Sequence, residues 1–358
     1  MQSDVRVTYS KAIGIILMVL GHCSCSVPYV TQVIYMFHMP LFFFFSGYCF
    51  NPQYYFQPNK FLLRRIKGIY WPYVKWSLFF LFLHNLFFEL NLYNEEYGTN
   101  MGSNHLYEWS EMFFKAYTIV THMTGHEQLL GGYWFLRALF IGSVVSFCLL
   151  FTIHKLSKKW DLNEKFLEVF SLLLMISLSM IINHFEYIVP FFHFGSHPTH
   201  AATFFLIGYF FKKYNVKTFQ WRWIIIAFSF VIFGSFYWRC DMNNLYYDNY
   251  KMIPFILTAI LGTWSVFSLP WKRGGDMLNN CLSFIGKNTL NILTWHFLCF
   301  KLVTCFIIFL YALPKEQLAV FPVIEEYAER GCWFLYFLFG LCVPLFFSYI
   351  YNKIKISL

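Results

Sequence analysis

The sequence predicts an all-α membrane protein of about ten transmembrane helices, and three observations predict it. Only 13% of the 358 residues are charged and 58% are hydrophobic, whereas soluble domains carry about 25% charge. The apolar residues gather into long runs, and about 18 or more with few charges read as a spanning helix. The basic residues divide unevenly between the segments joining those runs, as they do when one side faces the cytoplasm.

The runs place spans at 11–28, 33–50, 69–90, 133–153, 166–185, 200–211, 222–238, 252–269, 288–312 and 333–351. The sixth is short and the ninth is long. With this threading, 19 of the 27 Lys and Arg residues lie on the side of the N-terminus, 5 on the opposite side and 3 within spans. The split puts both termini in the cytoplasm and supports an even number of crossings. The formal charge of +9 therefore reads as membrane orientation, with no nucleic-acid partner. Arg6 and Lys11 precede the apolar stretch 12–20 without a small-residue cleavage site, so the first run reads as an uncleaved span. Repeats, low-complexity tails and a separate soluble domain are not evident, and residues 1–358 read as a single integral-membrane domain.

The ten cysteines include no C-x-x-C pair, which argues against a zinc or redox site. They read as small apolar filler, although Cys240 and Cys332, at outer span ends, could pair in an oxidising compartment. No metal-spaced cluster, phosphate-cradling glycine loop or Ser-His-Asp arrangement is evident. The outer segment 91–132 is rich in Glu, His, Tyr and Trp, which suits carbohydrate contact and equally suits any exposed loop.

Ionisable groups inside a bilayer are costly, so each is a candidate for function. His22 lies 11 residues after Lys11, about three helical turns, which puts both on one face roughly 16 Å apart. A cation at the cytoplasmic mouth with an imidazole further up could grip a long anionic donor and reach its far end. His38 lies about one and a half turns into the second span, level with His22. Either imidazole could instead be a core histidine bonded to a backbone carbonyl. Arg137, just inside the fourth span, either snorkels outward or pairs with Glu127 or Glu186. His296 lies near mid-membrane and faces Lys301 one turn on. A neutral imidazole can take a proton from a hydroxyl while that oxygen attacks an acyl carbon, so direct transfer with a general base is the simplest chemistry these residues offer.

The segments YSKAIGIILMVLGHCS (9–24), IYMFHMPLFFFFSGYCF (34–50) and RRIKGIYWPY (64–73) resemble the first spans and basic loop of the acyltransferase type 3 family of membrane O-acyltransferases. That family includes fucose O-acetylase-like and O-antigen acetylase-like proteins. Weaker likenesses follow in YWFLRAL (133–139), FFLIGYFFKK (204–213) and IGKNTLNILTWH (285–296), so the resemblance covers nearly the whole chain. It implies about ten spans with cytoplasmic termini, in the inner (plasma) membrane of a bacterium. It implies acetyl-CoA, or second to it a succinyl donor, as substrate, and no permanently bound cofactor. By resemblance His22 is the catalytic histidine and His38 a second catalytic-site residue. Lys11 helps hold the donor, and Arg64, Arg65 and Lys67 suit its phosphates, although positive-inside topology alone accounts for those three. Trp134, Arg137, His296 and Ser46 are candidates to line the site. The implied acceptor is a hydroxyl of a cell-surface or lipid-linked carbohydrate, met at the membrane. Lys11 stands where the family has Arg, a point charge in place of a bidentate fork.

The competing reading is a multi-span carrier or flippase for a glycan or small solute. Carriers also hold intramembrane histidines, but many are built from paired inverted halves with broken helices, and no internal symmetry of that kind is evident here.

Overall fold

A computed structural model of the chain describes residues 4–98, 103–185, 188–189, 194–239, 241–242, 249–271 and 275–357. Among these residues helices dominate, and the sole β pairing is a single bridge between Val189 and Phe194. The proposed Cys240–Cys332 pairing, and Glu186 as a partner of Arg137, fall on residues outside that description.

The first helix, α1, runs over Val5–Gly21. It is followed by α2 (Val30–Tyr35) and α3 (His38–Tyr48). Next come α4 (Pro58–Arg65), α5 (Trp71–Glu89) and α6 (Trp109–His122). The long helices α7 (Trp134–Trp160), α8 (Glu164–His184) and α9 (Ser196–Lys213) form the middle of the chain. The last third holds α10 (Trp221–Tyr237), α11 (Met252–Phe267), α12 (Gly275–Lys287), α13 (Thr289–Tyr311), the short α14 (Glu325–Tyr327) and α15 (Trp333–Ser357).

Each of the ten apolar segments read from sequence contains helix, the second in two pieces, but the first, read as 11–28, leaves helix at Gly21. Among the described residues, five stretches are long and apolar enough to cross a membrane: Val30–Tyr48, Gln128–Trp160, Glu164–His184, Thr289–Tyr311 and Glu325–Lys355. Helices α10 and α11 are apolar but shorter. The sixth segment is longer than its hydropathy suggests. Its helix begins at Ser196 and includes the polar run Ser-His-Pro-Thr-His before the Phe-rich part, with Pro198 tolerated in the first turn, where its missing N–H is not needed.

The chain divides into two compact units, each assembled from separated segments. The first comprises Met1–Val7, Tyr35–Tyr73 and Phe135–Leu269. Its centre is the pair α3 and α9, whose backbones meet at two glycines. A Cβ at Gly47 would run into the carbonyl oxygen of Phe205, and one at Gly208 into the carbonyl oxygen of Phe44. Small residues at a helix crossing are how membrane helices approach closely without a hydrophobic driving force between them. Helix α7 joins at Gly142, beside Ala201, and Ser146 Oγ donates to the Ala202 carbonyl at 3.2 Å. One end of the unit is an aromatic cluster of Phe50, Tyr54, Tyr55, Phe61, Phe147, Phe205 and Tyr209. Glu168, buried on α8, accepts from Lys213 Nζ and from Tyr214 Oη, each at 2.6 Å.

The second unit comprises Thr8–Ile34, Val74–Trp134 and Pro270–Leu358. Here α13 packs along α15, with Gly340 against the Phe300 ring. Polar bonds pin the pair: Asn291 Nδ2 donates to Ser348 Oγ at 2.9 Å, and the Thr304 and Tyr336 hydroxyls lie 3.0 Å apart. Helix α5 reaches α13 through Trp76 and Phe80, whose rings lie 5.0 and 5.5 Å from Trp295. Gly286 of α12 lets α1 approach, because a Cβ there would strike the Thr8 carbonyl. Helix α6 presents Trp109, Phe113, Phe114 and Tyr117 outward, the kind of one-sided aromatic face that settles at a lipid headgroup boundary.

Candidate functional site

His22 is not inside the first helix, as its spacing from Lys11 predicts, but is the first residue beyond it. Helix α1 ends at Gly21 with tightened bonds, His22 N–H to Val19 O and Cys23 N–H to Leu20 O, both 3.2 Å. The Cys23 thiol takes the Val19 carbonyl as well, at 3.0 Å. Ser24 then adopts φ +48°, a left-handed conformation that reverses the chain, as helix C-termini commonly do. The imidazole thus projects from a helix end, partly buried.

Its ring neighbours among the described residues come from α13. The His22 ring centroid lies 5.6 Å from that of His296, with planes 29° apart, and 5.0 Å from Phe297. His296 is fully buried. Its Nδ1 lies 3.1 and 3.0 Å from the carbonyl oxygens of Ile292 and Leu293. Carbonyls only accept, so Nδ1 carries the proton and Nε2 the lone pair. Among the described residues that Nε2 has no hydrogen-bond partner. The 3₁₀ turn Gln128–Tyr133 lies beside His296. Gly132 allows this, since a Cβ there would stand 3.0 Å from Leu293 Cδ1 and 4.0 Å from His296 Cε1. The Tyr133 and Thr294 hydroxyls, 2.7 Å apart, fasten the turn to α13.

Lys11, partly buried on α1, and Trp134, at the head of α7, belong to the same unit as these imidazoles. His38, Ser46, Arg64, Arg65, Lys67 and Arg137 belong to the other. His38 is not one and a half turns into a span: the second apolar segment breaks at 36–37, and His38 opens α3. Pro40 accounts for the new start, because its ring disfavours helix before it yet fits the first turn of a new one. The Leu41 N–H reaches Phe37 O at 3.0 Å, and the buried His38 ring lies 5.2 Å from Tyr35.

The basic loop residues are partly engaged locally. Arg64 donates to the Tyr54 hydroxyl at 2.9 Å, and the Arg65 guanidinium lies over Phe61 and Phe205 at 5.0 and 5.8 Å. Lys67 is exposed. Ser46 Oγ is buried without a partner, and Arg137 is partly buried near the start of α7. Lys301 is not paired with His296 across one turn. Its ammonium donates to the carbonyls of Leu318 and Val320 at 2.9 and 2.7 Å, which satisfies a buried cation with backbone dipoles.

Glu127, a sequence candidate for pairing with Arg137, is taken elsewhere. His84 Nδ1 lies 3.2 Å from Glu127 Oε2, both side chains essentially inaccessible. His84 Nε2 lies 3.0 Å from the His105 carbonyl, and Tyr107 stacks on the ring at 3.4 Å. Burial raises the Glu127 carboxyl above its ordinary range, against the pull of the His84 bond. Sequence reasoning passed over His84, although a His-Asn step inside a Phe/Leu run is a visible signal. Among the described residues no three His, Cys, Asp or Glu side chains gather as a metal site.

Apolar helices long enough to cross a membrane, with two neighbouring imidazoles of which one is fully buried, define a helical membrane protein. The chain belongs to the acyltransferase type 3 family: the profile of the family's acyltransferase domain matches residues 4–353. That match spans every site residue named above. No curated relative and no solved structure matches the chain.

Proposed function

We propose that the chain is a membrane O-acyltransferase of a bacterial inner membrane, moving an acetyl group from cytoplasmic acetyl-CoA to a hydroxyl of a cell-surface or lipid-linked carbohydrate. Ten crossings with both termini cytoplasmic, as the basic residues suggest, present one face to the donor and the other to the envelope. The observation that carries the chemistry is the His22 imidazole, free of side-chain hydrogen bonds among the described residues and set beside His296 at a helix end.

His22 acts as the general base. The acceptor oxygen attacks the thioester carbonyl carbon as its proton passes to the imidazole. The C–S bond then breaks, and the CoA thiolate leaves with that proton as the free thiol. The oxygen gains the acetyl group, and the enzyme ends as it began. Within the unit that holds His22, Trp134 lines the site and Lys11 receives the phosphates of the donor.

Comparing surface glycans from cells with and without the gene, by mass and by NMR, tests the reading. A loss of acetyl mass on deletion supports it and names the acceptor. Unchanged acetylation with altered glycan export would overturn it in favour of a carrier. Lys11→Ala should raise the KM for acetyl-CoA several-fold, since it removes a single point charge from the donor, while leaving the acceptor KM alone. An unchanged donor KM would withdraw Lys11 from donor binding.

A further inference from the structure

A base needs a fixed tautomer. An imidazole takes a proton at one nitrogen only while the other nitrogen keeps its own, and that N–H performs best when an acceptor holds it in place. In a Ser-His-Asp triad a buried carboxylate does this. Around His22 the candidate partners are few. Its two ring contacts are Phe297, which accepts no conventional hydrogen bond, and His296.

His296 is unusual among the buried polar groups. The carbonyls of Ile292 and Leu293 hold its proton on Nδ1, so the tautomer is set by the helix backbone and does not depend on substrate. The consequence is a lone pair on Nε2 that is buried and unmatched. Leaving a buried acceptor unsatisfied is costly, and a core histidine with only a packing role would usually turn that nitrogen toward a donor. The imidazole held 5.6 Å away, centre to centre, supplies such a donor. At that separation an N–H···N bond forms if the stacked rings turn edge to edge, or one water bridges them, and catalytic hydrogen bonds commonly tighten only when substrate binds.

We propose that His296 is the positioning residue for His22: its Nε2 accepts the second N–H of the His22 ring, directly or through one water. This inference rests on the reading of His22 as the base. The bond aims the free nitrogen of His22 at the acceptor hydroxyl, and it stabilises the imidazolium that forms when the hydroxyl proton arrives. His296 touches neither donor nor acceptor and exchanges no proton with them. The two carbonyl bonds keep its Nδ1 proton in place throughout, so the pair carries a single mobile proton, which enters from the hydroxyl and leaves on the CoA thiol. Glycine at 132 belongs to the same arrangement, since it lets the covering turn lie against the His296 edge.

The test uses the full-length protein in proteoliposomes, with acetyl-CoA and glycan isolated from the deletion strain, and follows CoA thiol release. His296→Leu should lower kcat by tens of fold or more, toward the roughly 10⁴-fold cost of a mis-set tautomer in a triad, with the KM for acetyl-CoA unchanged. His296→Gln, whose amide oxygen can reach the place of Nε2, should recover a substantial part of the loss, whereas the shorter Asn should not. The double variant His22→Ala with His296→Leu should be no slower than His22→Ala alone, as residues acting as one unit are non-additive. An unaltered kcat in His296→Leu overturns the inference while leaving His22 as the base. Equal losses in Leu and Gln, together with an additive double variant, also overturn it and make His296 a packing residue. Full activity in His22→Ala would be a different failure, that of the acyl-transfer reading itself.

Discussion

His22→Ala is expected to reduce acetyl transfer by about 10²- to 10⁴-fold, the usual contribution of a positioned general base, while the protein still inserts and folds. The second half of that expectation follows from the contacts. The ring makes no hydrogen bond with any described residue, and its aromatic contacts among the described residues are one phenylalanine and one histidine. Removing it strands no polar group that was satisfied before, because His296 Nε2 already lacks a partner. The loss is therefore a few van der Waals contacts at a partly open helix end, where surrounding side chains can relax. The local turn survives too, since His22 N–H to Val19 O and the Cys23 thiol bond are independent of the imidazole. Equal melting temperature and an equal gel-filtration profile, with acetyl transfer near background, is the pattern that supports the base. Retained transfer would remove His22 from the chemistry, and a collapsed profile would show that the ring holds the fold.

Much of the fold was legible because the bilayer makes it so. Backbone groups in lipid must be satisfied within a segment, so a long apolar run leaves helix as the ready solution, and each of the ten runs carries helix, though the first only as far as Gly21. The interruptions were legible in part. Pro40 stands in plain view within FHMPL, yet its effect was to start a helix at His38, while hydropathy averaged over the break and read one continuous span. The end of α1 at Gly21 escaped for a similar reason: a window sees Cys23, Val27 and Tyr29 as apolar and cannot see the left-handed Ser24. Helical spacing then put Lys11 and His22 on one face of a helix that His22 does not join.

The pairing of His22 with His296 escaped for a deeper reason. The two residues are separated by most of the sequence, and no local rule brings α1 beside α13. Their approach depends on Gly286 and Gly340, which admit α1 and α15 to contacts a side chain would block. His84 and Glu127 show the same limit. Each is a visible anomaly in its own segment, but only the folded loop buries them together with Tyr107 stacked on top.

The α3–α9 crossing offers the sharpest test of how the first unit is held. Gly47→Ala should lower its melting temperature by several degrees, and Gly47→Val by more. The added Cβ at 47 meets the Phe205 carbonyl, with the carbonyl carbon at 2.6 Å and Cα at 2.9 Å. These atoms belong to a helix backbone and cannot swing aside as a side-chain tip can. The helices must separate, and overpacking of this kind costs about 1–3 kcal/mol. Separation also opens the reciprocal contact at Gly208, where Phe44 O and Tyr48 N close over the other helix, so the two glycines should be strongly non-additive: once Gly47→Ala has parted the helices, Gly208→Ala should add little. Gly68→Ala is the matched control, having nothing within 4 Å of its added Cβ, and should leave the transition unchanged. A Gly47→Ala protein that melts with the wild type would mean that α3 and α9 do not cross at these two residues.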